Sequence, residues 1–244
     1  MCTVTFIASE GKFYLTSNRD EKTTRLPALT PQQYEMESAT LLFPKDANAG
    51  GTWVALKQNG DAAVLLNGGL YPHTPQPPYR LSRGLVLIEI LQNEQPYHCF
   101  QLYDCCQIEP FTLILFCNLA LYECRWDGIQ KHVKQLDVCQ PYIWSSVTLY
   151  SPEIVGKRKQ WFDDWIKQTD MPQQDEIFHF HRFTGEGDSA NDLFMNRNNE
   201  TRTVSITSIS IDKGECEMQY WDALDDSIHH STFHVTSETT LENL

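Results

Sequence analysis

The sequence predicts an α+β fold in which two stacked, mainly antiparallel sheets are covered by helices. Strand-like alternation dominates both ends of the chain, while apolar stripes at helical spacing sit in the middle. Regular β–α alternation is missing and no Gly-rich phosphate loop occurs, which argues against a doubly wound parallel fold. With 244 residues and a hydrophobic fraction of 41%, the chain can build a sizeable core. It is read as one domain spanning 1–244.

Cys2 to Ala8 alternates as a strand, Glu10-Gly11 makes a turn, and Phe13 to Thr16 forms a second strand. Glu21 to Asn48 shows little periodicity and is expected to be a long ordered loop, a kind of segment that is often functional. A hairpin follows, with Trp53–Leu56 and Ala62–Leu66 flanking Asn59-Gly60, a dipeptide suited to positive φ. The prolines between Tyr71 and Pro78 make that connection irregular. Ser82 is placed to cap a buried helix running to Leu91.

Strands are expected at Thr112–Cys117, Leu121–Trp126 and Tyr142–Val147. Ser151-Pro152 starts a helix whose stripe is Ile154, Trp161, Phe162, Trp165 and Ile166, and a shorter helix covers Gln174 to Phe180. Thr203–Ile206, Ile209 and Ile211 follow as strand. Their alternation changes phase between Ile206 and Ile209, which suggests a bulge there. Cys216–Trp221 and Ser231–Val235 complete the set, and the residues from Ser237 are polar and expected to fray.

A net charge of −13 argues against nucleic acid or an anionic membrane surface as partner. No signal peptide is read at the start and no apolar run approaches the roughly 18 residues of a membrane span. The eight cysteines contain no Cys-x-x-Cys pair and are read as reduced thiols of a cytoplasmic protein. The sequon at Asn199 is then a chance match. His179, His181, Asp188, His229 and His230 lack the spacing of a zinc motif, so no metal is expected. A Ser205–His181–Asp188 triad is a further possibility, although no Gly-x-Ser-x-Gly elbow supports it.

Cys2 is the first candidate for chemistry. Removal of Met1 would leave a thiol and a free α-amine on one residue, and an amine with a reference pKa of about 7.7–8.0 can take the thiol proton. The alternative is a small residue filling space at the start of a strand.

Several segments then form an ordered set: the initial Met-Cys, Asn18-Arg19-Asp20-Glu21, Gly50-Gly51-Thr52-Trp53, Ala62 to Asn67, Ser82-Arg83-Gly84 and Arg202-Thr203-Val204-Ser205. Over nearly the whole chain this set resembles the NRDE family, also called the transport and Golgi organisation protein 2 family. The resemblance implies the αββα sandwich of N-terminal nucleophile (Ntn) hydrolases. The opening is also similar to the choloylglycine hydrolase and penicillin V acylase group, which implies cleavage or transfer of a non-peptide amide through an acyl-cysteine, without a cofactor. A second reading keeps the fold but makes it a binding or trafficking protein for a lipid, acyl-CoA or haem. Either way the expected partner is a small molecule; no oligomeric state follows.

Under the first reading, Arg19 would favour the thiolate or hold a substrate carboxylate, and a carboxylate, Asp20, would orient the α-amine. If the segment is extended, the adjacent residues point to opposite faces and cannot both reach Cys2. Arg19 is preferred for the thiol, with Asp20 next; a turn closed by an Asx cap is the structural alternative. Asn67 would stabilise the oxyanion, while Asn18 and Gly68, the latter followed by Gly69, are the substrate-binding candidates. The second asparagine of the acylase group is missing here: the nearest counterpart is Trp144-Ser145-Ser146.

Overall fold

The computed structural model describes residues 3–235, so the expectations for Cys2 and for the segment after Ser237 lie outside the described residues. Two seven-stranded antiparallel sheets stack face to face, with a pair of helices on each outer surface.

The first sheet has the order β10-β1-β2-β12-β13-β14. It is built from β1 (Thr3–Ser9), β2 (Lys12–Lys22), β10 (Tyr142–Ser145), β12 (Thr201–Ile211), β13 (Glu215–Asp222) and β14 (Ser227–His234). Short β11 (Asn196–Arg197) pairs with β12. The second sheet runs in sequence order through β3 (Leu29–Glu35), β4 (Thr40–Lys45), β5 (Val54–Lys57), β6 (Ala62–Asn67), β7 (Phe111–Cys117), β8 (Ala120–Trp126) and β9 (Lys131–Leu136).

Alternation decides which layer each side chain enters. Val4, Phe6, Leu15 and Ile209 point between the sheets and meet Val64, Leu66, Ile114 and Phe116 of the other sheet. Ile7 and Tyr14 point the other way, onto Phe162 and Phe180 of α3 (Pro152–Gln168) and α4 (Gln174–Phe183). The opposite surface is covered by α1 (Arg83–Leu91) and α2 (Pro96–Leu102), where Val86, Leu87 and Phe100 pack on Leu65 and Leu113. Each of these fully buried side chains contributes about 1.5–3 kcal/mol. The helices start where the caps place them: Ser82 accepts from the Leu85 N–H and Ser151 from the Ile154 N–H, with Pro152 in the first turn.

Three expectations need correction, and two elements were not foreseen. Residues 21–48 are not a loop but contain the β3–β4 hairpin. β3 is largely polar and exposed and β4 carries a continuous Leu41-Leu42-Phe43 run, so neither alternates. β9 and α2 were likewise hidden, the first by the polar sequence KHVKQL and the second by its single helical turn or two. Asn18–Glu21 does not follow the second strand; it lies inside it, paired by β1 on one side and β12 on the other. The bulge in β12 falls between Thr203 and Ser205, and no irregularity occurs between Ile206 and Ile209. The apolar phase change has another cause: both faces of β12 are buried, one by the facing sheet and one by helices.

Candidate functional site

β2 divides the family motif between two layers. Arg19 points into the space between the sheets, whereas Asn18 and Asp20 point towards α3 and α4. The opposite-face expectation for Arg19 and Asp20 therefore holds.

Arg19 is 4% exposed and its guanidinium lies 4.2 Å over the Trp53 ring. Its Nη2 donates to Asp46 Oδ2 at 2.9 Å and lies 3.7 Å from Glu21. The remaining Arg19 N–H groups make no hydrogen bond among the described residues. Asp46 sits in the turn after β4, and its Oδ1 accepts from the N–H groups of Asn48 and Ala49 and from Arg25. Burial alone would raise this carboxyl, but those N–H groups with Arg25 and Arg19 outweigh it and hold it below the usual range. Sequence reasoning missed Asp46; the turn residues Asp46-Ala47-Asn48-Ala49-Gly50 were its only signal.

Arg19, Asp46, Trp53, Asn67 and Arg83 line one cavity of about 130 Å³. Asn67 is half-buried at the end of β6, and its carboxamide makes no hydrogen bond among the described residues. Its backbone carbonyl accepts from Ser146 Oγ at 2.9 Å, so the Trp144–Ser146 segment does reach this point of the site. Two family motifs meet behind it. A Cβ on Gly51 would lie 2.5 Å from the Gly84 carbonyl carbon, and one on Gly84 would lie 2.7 Å from Thr52 O. Gly84→Ala is thus expected to destabilise the protein by about 1–3 kcal/mol, against the gain of about 1 kcal/mol usual for this change in a helix. A urea midpoint equal to or above that of the unchanged protein would refute the close-packing account.

Gly68 is closely packed by its neighbours among the described residues. At φ +86° its α-carbon is faced by Val147 and Thr148, its N–H donates to Pro110 O, and its carbonyl accepts from Thr112. Gly69 is closed in the same way by the Trp126 carbonyl. The approach these glycines permit is from neighbouring strands and turns.

On the helix-facing side Asp20 accepts from Tyr150 Oη at 2.7 Å and from Thr203 Oγ1 at 2.5 Å. The bulge in β12 makes the second contact: it lets Thr203 face Asp20 while Ser205, two residues on, pairs with Arg19 in the other layer. Tyr150 carries the buried Arg158 guanidinium 3.7 Å over its ring. Asn18 is wholly buried and committed to α4 and its surroundings. Its amide donates to the His181 and Leu193 carbonyls, and its Oδ1 lies 2.6 Å from His181 Nδ1. Because that oxygen only accepts, Nδ1 carries the proton and Nε2 accepts from Thr5 Oγ1 at 2.8 Å. Burial, then the Arg158 charge, push the His181 pKa down to about 3. The Ser205–His181–Asp188 arrangement is not assembled: His181 is engaged with Thr5 and Asn18, Ser205 faces the other layer, and Asp188 is exposed beside Asn191.

Among the described residues no group of three or more His, Cys, Asp and Glu could hold a metal, and no helix is long and apolar enough to cross a membrane.

The model of a family described as Transport and Golgi organisation 2 matches residues 1–233. A search of curated proteins gives no significant match. Similar solved structures include a Cys→Ala mutant of conjugated bile acid hydrolase from Clostridium perfringens, with TM-score 0.59 and 11% identity, covering 100% of both chains. An Arg→Leu variant of that enzyme gives 0.58 and 11%, over 99% of this chain and 100% of that one. The Caenorhabditis elegans orthologue of N-acylethanolamine-hydrolyzing acid amidase gives 0.58 and 12%, over 85% and 92%. At such identity the likeness establishes the fold, the αββα sandwich of Ntn hydrolases.

Proposed function

The chain belongs to the Transport and Golgi organisation 2 family, and on that premise we propose that it is an N-terminal-cysteine hydrolase or acyltransferase acting on a non-peptide amide or small acyl compound. The observation that carries this reading is that a buried, incompletely bonded Arg19 guanidinium and Asn67 line one cavity.

Cys2 is one peptide bond from Thr3, and Thr3 pairs with Asn18 beside Arg19. The chemistry requires the thiol on the face that Val4 takes and the amine within reach of Asp20. With Met1 removed, the Cys2 sulfur attacks the substrate carbonyl and its proton passes to the α-amine. Asn67 donates to the oxyanion and Arg19, on the face opposite to Asp20, holds a substrate anion. The amine then protonates the leaving nitrogen, and water or an acceptor nucleophile releases the acyl group from sulfur. Asp20, fixed by two hydroxyls, stabilises the amine in its protonated form.

One observation favours the binding reading instead. Ser146 stands near the position of the missing asparagine, and its hydroxyl is already committed to the Asn67 carbonyl and to Thr148, so it adds no donor for an oxyanion.

Intact-protein mass spectrometry after brief treatment with a thiol-reactive probe tests the proposal. Burial pushes Cys117 up to about 12 and Cys216 up to about 11, and also raises Cys99, Cys105 and Cys124, so these thiols stay silent near neutral pH. Cys106 and Cys139 are exposed and serve as internal references. Met1 is expected to be absent, Cys2 to label faster than either reference, and Cys2→Ala to lose amide turnover by roughly 10³-fold or more. Retained Met1, or turnover surviving in Cys2→Ala, would falsify the hydrolase reading; full ligand affinity in that variant would then support binding.

A further inference from the structure

A second cavity, of about 170 Å³, adjoins the first and shares Arg19, Glu21 and Arg25 with it. Its charge is opposite to that of the whole molecule. Arg19, Lys22, Arg25 and Arg202 line it with the carboxylates Glu21 and Asp222, and Asp46 bonds Arg19 and Arg25 from the neighbouring cavity, which leaves an excess of positive charge in a chain of net charge −13. Arg25 is neutralised by Asp46 and Glu21. Lys22 and Arg202 form no ion pair among the described residues. Arg202 is only partly exposed, and desolvating a guanidinium without a counter-charge is unfavourable. Burial, and then Asp222, push the Tyr220 phenol up to about 12, so it lines the cavity uncharged and adds no negative charge. Leu26, Pro27 and Leu224 supply apolar wall. Such a site offers donors and positive charge to an anion and a short apolar surface to what carries it.

We infer that this cavity is the subsite for an anionic group on the substrate, so that the compound taken by the proposed acyl chemistry is an amide bearing a carboxylate or phosphate. The inference rests on the proposed function for its reacting carbonyl, but its binding test does not need turnover. Arg202 holds the anion and Lys22 adds positive charge at the exposed rim, while Arg19 lies between the anion and the reacting group. The two oxyanions share this chemistry: an Arg fork pairs with either.

The test is calorimetric titration of the full-length Cys2→Ala protein with three probes: N-hexanoylglycine, its neutral counterpart N-hexanoylglycinamide, and N-hexanoyl-O-phosphoethanolamine. At least one anionic probe is expected to bind tenfold or more tightly than the neutral one, and the tighter of the two identifies carboxylate or phosphate. Arg202→Gln is expected to remove that tenfold preference and Lys22→Gln to reduce it about threefold, with the neutral probe unaffected. Equal affinity for neutral and anionic probes, no binding of any probe, or an anion preference unchanged in both variants would overturn the inference. Circular dichroism confirms that each variant is folded. Incubating the unmodified protein with the same probes separates the two readings. Anion binding without release of glycine or phosphoethanolamine leaves the subsite standing and counts against hydrolysis. Cleavage of the neutral probe as fast as the anionic ones leaves hydrolysis standing and removes the subsite.

Discussion

Replacing Arg158 with methionine is expected to cost about 3–5 kcal/mol of stability, read as a fall in urea midpoint at unchanged slope. The side chain is completely buried in α3 against the end of β1. Its Nη1 donates to Thr3 Oγ1 at 2.5 Å, Nε and Nη2 donate to Asn191 O, and Nη2 donates to Asp192 O at 2.7 Å. No carboxylate among the described residues pairs with it. The charge is held by carbonyl oxygens and by the Tyr150 ring. Methionine matches much of the volume but leaves those acceptors buried and unpaired, at about 1–3 kcal/mol each before relaxation. A loss below 1 kcal/mol would mean that the guanidinium contributes far less than its bonds suggest. Since Tyr150 also bonds Asp20, the variant should in addition loosen the carboxylate that the proposed mechanism assigns to the α-amine.

The second large effect is on pH dependence. His181 is neutral in the folded protein with a pKa of about 3, while in the unfolded chain it titrates near the usual 6.5. Between these values the unfolded state binds the extra proton, so stability is fully present above about pH 6.5 and is lost as pH falls towards 3. The slope is about 1.4 kcal/mol per pH unit, or roughly 2–3 kcal/mol between pH 6.5 and 4.5. His181→Gln keeps a donor and an acceptor for Asn18 and Thr5 and should flatten that slope, whatever it does to stability at pH 8. Urea midpoints for both proteins across pH 4.5–8 decide this. An undiminished slope in the variant would assign the acid sensitivity to other groups.

Elements with a local chemical signal were legible in the sequence. The Asn59-Gly60 hairpin, the Ser82 cap and the Ser151-Pro152 helix start all appear where expected, because a positive φ or an orphan N–H demands particular residues at those points. What stayed hidden depends on partners distant in sequence. The β3–β4 hairpin is covered and paired from other parts of the chain rather than by its own alternation. The polar residues Ser17 to Asp20 form a central strand because β1 and β12 satisfy their backbone, which no local propensity foretells. In the candidate site, Arg19 and Asn67 were found by motif and do share a cavity. The supports Asp46, Tyr150 and Arg158 were not, since a buried ion pair and a stacked guanidinium are matters of tertiary contact. Asn18 and Gly68 illustrate the converse: residues conspicuous in a motif whose bonds are all spent on holding neighbouring elements together.

Val204, the residue of β12 without a partner in β2, makes this region intolerant of changes in length. With it, the ladder on its N-terminal side is out of step with the ladder beyond, so hydroxyls two residues apart serve opposite layers. Delete it, and the strand can keep only one of those alignments: either Thr203 turns away from Asp20 or Ser205 turns away from Arg19. Point substitutions there test single contacts, but a one-residue deletion would uncouple the two halves of the site as a whole. This strand must be counted residue by residue.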